Sequence, residues 1–453
     1  MSEKQPTGRG GQMLRRLQYE GAARVVAPAL ATGLRAQRRL RSWRRPKKEP
    51  SEWFGPPLRA TYRLKEVLTR HYLSGRYADG AVPVAWVTSG FPIELLRPFG
   101  YHVVYPENHA AMCGVQRKGV KLAQVAEVWG LSQDTCGYAR CDIGSFLSGN
   151  TPAGRLPKPD ILLACTNICQ TVVHWYRTLA AILKVPVFVV DTPFLSGDPD
   201  ERTETYVAEQ LEECMQLCAR IAGKKVDRKA LGRVAQRSKE ASELWGECLA
   251  LSQAEPAPWT GFEQFLHLGP IVAMRGLPEC NAYYRELRDE LRERVKHGIG
   301  AIRHERFRLL WDNLPIWYEL RSLSTLLAEV GFTIVTTTYS YGWAETAPLF
   351  DPRDPIVSAA RVYARVFINR SLDFRLEMMK KLVNTYSCDG AILHSNHSCK
   401  PYSVGQIDLA DRLAKEASIR TLLLDGDHID MRVHSKEQAE GRLAAFMESF
   451  GGL

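Results

Sequence analysis

CDGAILHSNHSCKPYSVGQ, residues 388–406, is the stretch whose reading decides the fold. Residues 388–396 hold a short apolar run bounded by Asp-Gly before it and Ser-Asn after it, which reads as a buried strand with its exit loop. Apolar residues at helical spacing follow over 402–417. The same phrase of strand, loop and helix repeats along the chain. Toward the C-terminus, RTLLLDGDH (420–428) reads as a strand and 436–450 as the last helix. Toward the N-terminus, FRLLWDN (307–313) and the β-branched FTIVTTTYS (332–340) read as strands, with helices over 316–329 and 372–385. Earlier still, VPVAWVTSG (82–90), 101–105, DILLACT (160–166) and VPVFVVDTP (185–193) read as four more strands. Helices are expected over FPIELLRPFG (91–100), from the second strand through Trp129, and over 169–183.

Strands that alternate with helices predict parallel sheets covered by helices. Two such blocks are separated by a helical region over 200–254, rich in Glu, Lys, Arg and Ala, and by the break PAPWTG (256–261). The expectation is an α/β protein of two similar doubly wound, parallel-sheet lobes with helical insertions and an N-terminal helical extension. Its parts are a basic extension (1–55), a first lobe with a helical arm and an insertion (56–255), and a second lobe (256–453). A chain of 453 residues is comfortable for two such lobes. In open α/β sheets, ligands bind beyond the carboxyl ends of the strands.

The net charge of +10 belongs to one end. Residues 1–49 carry thirteen Lys/Arg against three acids, which leaves 47 of each sign in the rest. The body is therefore not a nucleic-acid-binding surface. The tail reads as a partly helical extension that could touch anionic lipid, nucleic acid or an acidic partner, weak contact with a membrane surface among them. The apolar stretch 25–34 is broken by Pro28 and flanked by Arg24 and Arg35, a poor secretory signal. No apolar run reaches the roughly 18–20 residues of a membrane span. These features predict a cytoplasmic protein whose eleven cysteines are not a disulfide framework. No GxxxxGK[ST] or GxGxxG motif supports direct binding of ATP or a nicotinamide.

Three cysteines stand in stretches that read as turns beside helices: Cys113 in YPENHAAMCGVQRKG, Cys136 in SQDTCGYARCDIG and Cys399 in ILHSNHSCKPYSVGQ. By spacing alone they match no compact cluster motif, and a buried inert thiol is the commoner fate. Their neighbourhoods favour ligation. Gly114, Gly137 and Ser398 offer backbone amides, and Arg117, Lys118, His394, His397 and Lys400 favour thiolates. Cys113 and Cys136 fall in the first block and Cys399 in the second, so one site holding all three would lie between lobes. Cys165 and Cys169, like Cys214 and Cys218, are four apart and read as pairs on helix faces, where a second metal site is conceivable and packing is the plain explanation.

PENHAAMCG, DTCGYAR followed by CDIG, ACTNICQ, the VVDTP loop and HSNHSCKPYSVGQ together resemble the 2-hydroxyacyl-CoA dehydratase and benzoyl-CoA reductase family, over residues 60–450. The resemblance implies two flavodoxin-like lobes with a [4Fe-4S] cluster held between them by three cysteines. It also implies a related second subunit, an acyl-CoA substrate, and a separate iron–sulfur activator that hydrolyses ATP and injects one electron. In the dehydratases of this family the electron makes a ketyl radical anion of the thioester, the 2-hydroxyl leaves, a proton is lost and the electron is returned. In the reductases the electrons enter an aromatic ring. Carried over by position, the ligands are Cys113, Cys136 and Cys399, with Cys141 as an alternative to Cys136. Ser89 (with Gly90), Glu107, His109 and His397 are the candidate catalytic groups, and the Asp191-Thr192-Pro193 loop a candidate substrate contact. The expected function is the iron–sulfur subunit of a 2-hydroxyacyl-CoA dehydratase. The alternatives are a benzoyl-CoA-type reductase subunit or a non-catalytic electron-relay or assembly subunit.

Overall fold

All eight expected strands form, and each sheet is built the same way. The first has the order β2-β1-β3-β4 and the second β6-β5-β7-β8, every pairing parallel. The computed structural model describes residues 9–30, 32–33, 51–151, 154 and 156–451. Of the basic extension, residues 1–8, 31 and 34–50 lie outside these. The described part is helix α1 (Arg9–Gly21), continued by a π turn over Ala22–Val26. It packs on α2 (Ala60–Gly75) through buried Ala22 and Ala27, and the Tyr19 ring meets His102 edge-on at 5.9 Å. No helix among the described residues is long and apolar enough to cross a membrane.

The first lobe runs β1 (Val84–Val87), β2 (His102–Val104), α3 (Pro106–Val115), α4 (Gly119–Trp129), α5 (Gly137–Ser148), β3 (Ile161–Cys165), α6 (Gln170–Leu183) and β4 (Val187–Val190). The segment 91–100 is not the expected helix. Pro98 has no N–H to donate and its ring would strike the carbonyl four residues back, so the chain forms two 3₁₀ turns, Ile93–Leu95 and Arg97–Phe99. The helical region after β4 is two helices, α7 (Glu201–Ala222) and α8 (Arg228–Ala250). Gly223 ends the first in the left-handed conformation at φ 63°, and the Asp227 carboxylate caps the second by accepting from the Ala230 amide at 2.9 Å. Three helices absent from the sequence reading follow: α9 (Gly261–His267), α10 (Gly269–Met274) and α11 (Pro278–Lys296).

The second lobe runs β5 (Phe307–Asp312), α12 (Leu320–Glu329), β6 (Phe332–Thr337), α13 (Thr338–Glu345), α14 (Pro355–Ala364), α15 (Leu372–Thr385), β7 (Gly390–Asn396), α16 (Lys400–Ser403), α17 (Gln406–Glu416), β8 (Arg420–Gly426) and α18 (Lys436–Glu448). β6 stops earlier than its β-branched run because the Thr337 hydroxyl accepts from the Ser340 amide at 3.0 Å and starts α13.

Alternate residues of each strand face opposite layers. Ala85, Val87 and Leu163 pack under α7, α8 and α11, whereas Trp86, Leu162 and Ala164 join a core continuous with Leu309, Trp311 and Ile392 of the second sheet. The two lobes therefore share one apolar core, and the cavity described next opens between their strand ends.

Candidate active site between the lobes

A flavodoxin-like order places its crevice beyond the ends of the first and third strands, where the crossovers diverge. In the first lobe the loops leaving β1 and β3 supply Ser89, Gly90 and Cys169; in the second, those leaving β5 and β7 supply Leu314 and Cys399. All five line one cavity of about 620 Å³, within the ~300–1,000 Å³ of ligand sites. Cys136 and Glu107 line it too.

Cys136, Cys169 and Cys399 share one local design. Each is the residue that precedes a helix: α5, α6 and α16. Burial and then the neighbouring Cys169 push the Cys136 thiol up to about 12. Burial, then Cys136 and Cys169, push Cys399 well above the ordinary thiol range, and burial raises Cys169. Against this, the amides of Tyr138 and Ala139, of Thr171 and Val172, and of Tyr402 favour the respective thiolates. Three desolvated thiols within electrostatic reach of one another ionise together only around a positive group. Three first helical turns supply the amides that tune such a group. Among the described residues, no three His, Cys, Asp or Glu side chains gather tightly enough for a single metal ion. The trio lines the cavity instead, and its three thiols are the donors that could hold a multi-iron group there. The donor set thus fits an iron–sulfur cluster.

The second lobe braces this trio from behind. His428 Nε2 stands 3.8 Å from the Cys136 sulfur, and burial lowers its pKa, so it faces the sulfur neutral. Asp427 accepts from the Ile429 and Asp430 amides at 2.7 Å each and takes the Ser398 hydroxyl on its other oxygen. That hydroxyl accepts from the Gly137 amide at 2.9 Å. One chain of bonds thereby runs from the start of α5 in the first lobe to the β8 exit loop of the second.

Glu107, in the first turn of α3, accepts from the Ser89 amide at 2.7 Å. Burial raises its carboxyl to about 7, outweighing the Ser89 bonds that favour ionisation. An aromatic wall stands beside it. The Trp317 indole N–H donates to the Tyr138 hydroxyl, and Phe265 lies 6.5 Å from Trp317 and 6.3 Å from Tyr339.

Five sequence assignments do not reach this cavity: Cys113, its neighbour Cys141, His109, His397 and the Asp191 loop. Cys113 is fully buried inside α3, which continues through Val115, so Gly114 does not mark a turn. Its sulfur pairs with Cys141 of α5 and lies 4.0 Å from His109 Nε2; both neighbours favour its thiolate. His109, whose other nitrogen is 3.8 Å from Asp142, is raised to about 9 by Asp142 and Cys113 although burial opposes it. Cys113, Cys141, His109 and Asp142 form a closed internal network, with no side chain among those lining the cavity. His397 is exposed, and its carbonyl takes the Lys400 ammonium at 2.9 Å. Asp191 ties its own loop to Thr166, Tyr206 and Gln210, the plain turn role.

Cys169 is the residue the sequence reading weighed only as half of a helix-face pair with Cys165. Its spacing of four from Cys165 suggested a helix face, but Cys165 closes β3 and Cys169 is extended at φ −171°. The available signal was positional: Cys169, like Cys399, sits between a strand end and a helix start. Cys214 and Cys218 do lie on one helix, α7, buried in the core.

A family model described as 2-hydroxyglutaryl-CoA dehydratase, D-component, matches residues 88–450. The chain is 32% identical over 391 residues to the (R)-2-hydroxyisocaproyl-CoA dehydratase alpha subunit of Clostridioides difficile, covering 85% of this chain and 94% of that one. It is 32% identical over 367 residues to the (R)-phenyllactyl-CoA dehydratase alpha subunit of Clostridium sporogenes, covering 81% and 89%. It is 27% identical over 402 residues to a benzoyl-CoA reductase subunit of Thauera aromatica, covering 85% and 93%.

Proposed function

Since the chain belongs to the 2-hydroxyglutaryl-CoA dehydratase D-component family, we propose that it is the cluster-bearing subunit of an enzyme that removes water from a 2-hydroxyacyl-CoA. The observation that carries this is the convergence of Cys136, Cys169 and Cys399, each at the start of a helix, on a cavity that also holds Glu107. Those three thiols would hold a [4Fe-4S] cluster, so Cys169 takes the place that position in the sequence had given to Cys113. When bound, a cluster with three protein ligands supplies one electron and a Lewis-acidic iron for the thioester carbonyl.

The chain's own residues do the rest. Glu107 is the one acid lining the cavity among the described residues, and a carboxyl of pKa about 7 can take a proton from the acyl chain at neutral pH and release it again. The Ser89 amide fixes one carboxylate oxygen, so that the group is oriented before substrate arrives. Tyr138, Trp317, Phe265 and Tyr339 keep water from the reacting carbons, which protects a radical intermediate and strengthens each charge interaction inside. The elimination is redox-neutral overall, because the electron that starts it is returned. Relatives named as alpha subunits support a partner chain. A separate ATP-hydrolysing activator is the proposed source of the electron, since this sequence has no phosphate loop of its own.

Iron and acid-labile sulfide in oxygen-free preparations test the ligand set. The wild type should hold about four irons per chain. Cys136→Ser, Cys169→Ser and Cys399→Ser should lose most of them, while Cys113→Ser keeps them. Retention in Cys169→Ser together with loss in Cys113→Ser would reinstate Cys113. With partner and activator added, release of water from a 2-hydroxyacyl-CoA supports the dehydratase; a dienoyl product from an aromatic acyl-CoA would make this a reductase subunit instead.

A further inference from the structure

The cavity also selects the acyl group. Helix α13 presents Thr338, Tyr339, Gly342, Trp343 and, at its end, Thr346 to the cavity, a single face at helical spacing. Gly342 stands in the middle of that face. Its backbone is not in the left-handed region, so conformation does not demand glycine there. Packing does not demand it either. A Cβ at this position would meet one atom within 4 Å, the Phe367 Cβ at 3.7 Å, an ordinary contact. Glycine is the least favourable residue in a helix interior short of proline, and here the space it leaves is cavity. Tyr339, one turn earlier, lies close enough to Cys399 and Glu107 for both to raise its pKa after burial does. Gly342 lines the same cavity as Tyr339, Glu107 and Cys399, so the space over it opens onto those groups.

Of the two cations lining the cavity, one is spent on protein partners and the other is exposed. Arg275, which lines the cavity, is buried and holds Glu94 at 2.9 Å, the Ile271 carbonyl at 3.1 Å and the Tyr363 hydroxyl. Lys65 is exposed on α2, at the rim. Glu107 would repel a second carboxylate. Among the described residues lining the cavity, Lys65 is then the one cation left for a carboxylate on the acyl chain, and burying that carboxylate deeper, away from it, would be costly.

We infer that the acyl group is bulky and uncharged, an aryl or branched aliphatic side chain packed against Tyr339 and Phe265, and that Gly342 sets the size accepted. This rests on the acyl-CoA reading above. The test uses the enzyme assembled with its partner and saturated thioesters that lack the 2-hydroxyl and do not react. Calorimetric affinities are compared for 3-phenylpropanoyl-CoA, 4-methylpentanoyl-CoA, propanoyl-CoA, glutaryl-CoA and free CoA. The two bulky thioesters should bind about ten- to a hundredfold tighter than propanoyl- or glutaryl-CoA, the gain expected from burying that much apolar surface. Gly342→Leu, which removes a helix-weakening residue and should keep or raise the melting temperature, should abolish that preference for the bulky thioesters over propanoyl-CoA. Glutaryl-CoA binding as tightly as 3-phenylpropanoyl-CoA overturns the inference, as does an unchanged preference in a folded Gly342→Leu. Thioesters that bind no better than free CoA would overturn the underlying acyl-CoA reading with it.

Discussion

Replacing Glu107 with glutamine separates its acidity from its shape. The wild-type carboxyl has a pKa of about 7 in the folded chain against an ordinary value of 4.5. That gap corresponds to about 3 kcal/mol of differential stability. Between those two pH values the folded chain holds a proton that the unfolded chain has released. The stabilisation is therefore fully present below pH 4.5, is lost as pH rises through 7, and changes no further above it. Glutamine resembles the protonated form at every pH and still accepts from the Ser89 amide. Glu107→Gln should match the wild type near pH 4.5 and exceed it by about 3 kcal/mol at pH 8. Turnover by the assembled enzyme should fall about 10²–10⁴-fold, the usual contribution of a positioned acid or base. Denaturant unfolding of both proteins from pH 5 to 8, without oxygen, reads the first effect and product formation reads the second. A stability difference that stays flat with pH would show that the carboxyl has ordinary acidity. Turnover close to wild type would remove Glu107 from the proton path.

Ser398→Ala cuts the bond chain from the Gly137 amide to Asp427. Leaving the buried Gly137 amide unpaired, while Asp427 keeps its backbone donors, should cost about 1–3 kcal/mol in thermal unfolding and speed amide exchange at the start of α5; unchanged exchange at Gly137 would argue against the chain. Gly144→Ala would place its Cβ 1.8 Å from the Leu122 carbonyl oxygen, where α5 crosses α4. Backbone cannot step aside as a side chain can, so a loss of about 3 kcal/mol or more is expected, and a melting temperature within a degree of wild type would contradict the crossing.

The lobes were legible because buried parallel strands advertise themselves. VAWV, ILLAC and FRLLWD are runs without the polar alternation of a half-exposed strand, and all eight such runs became strands. Helix continuity was harder to read. The sequence reading carries one helix from the second strand through Trp129, yet α3 ends at Val115 and α4 starts at Gly119. What ends a helix is the pairing of its last carbonyls, and composition does not carry that. The cysteine error has the same root. A spacing of four means one face only if a single helix spans it, and the boundary between β3 and α6 falls between Cys165 and Cys169. Ser89 was found at the end of the first strand and Glu107 because it precedes Cys113; both stand just beyond β1 and β2, where parallel sheets expose functional groups. His428, Tyr339 and the wall around Phe265 come from elements far apart in sequence and become neighbours only when the lobes dock.

Two of the three cavity thiols, Cys136 and Cys169, belong to the first lobe, and Cys399 to the second. A group held by all three would act as a removable crosslink closing the long loop from residue 169 to residue 399. Closing so long a loop removes much conformational freedom from the unfolded chain, and whatever binds only the closed form stabilises that form by mass action. Loading and lobe closure would then be one equilibrium. Assembly would have to insert the inorganic part while the halves are still apart, and oxidative damage to it would register as a loosening of the whole chain before any side chain was altered.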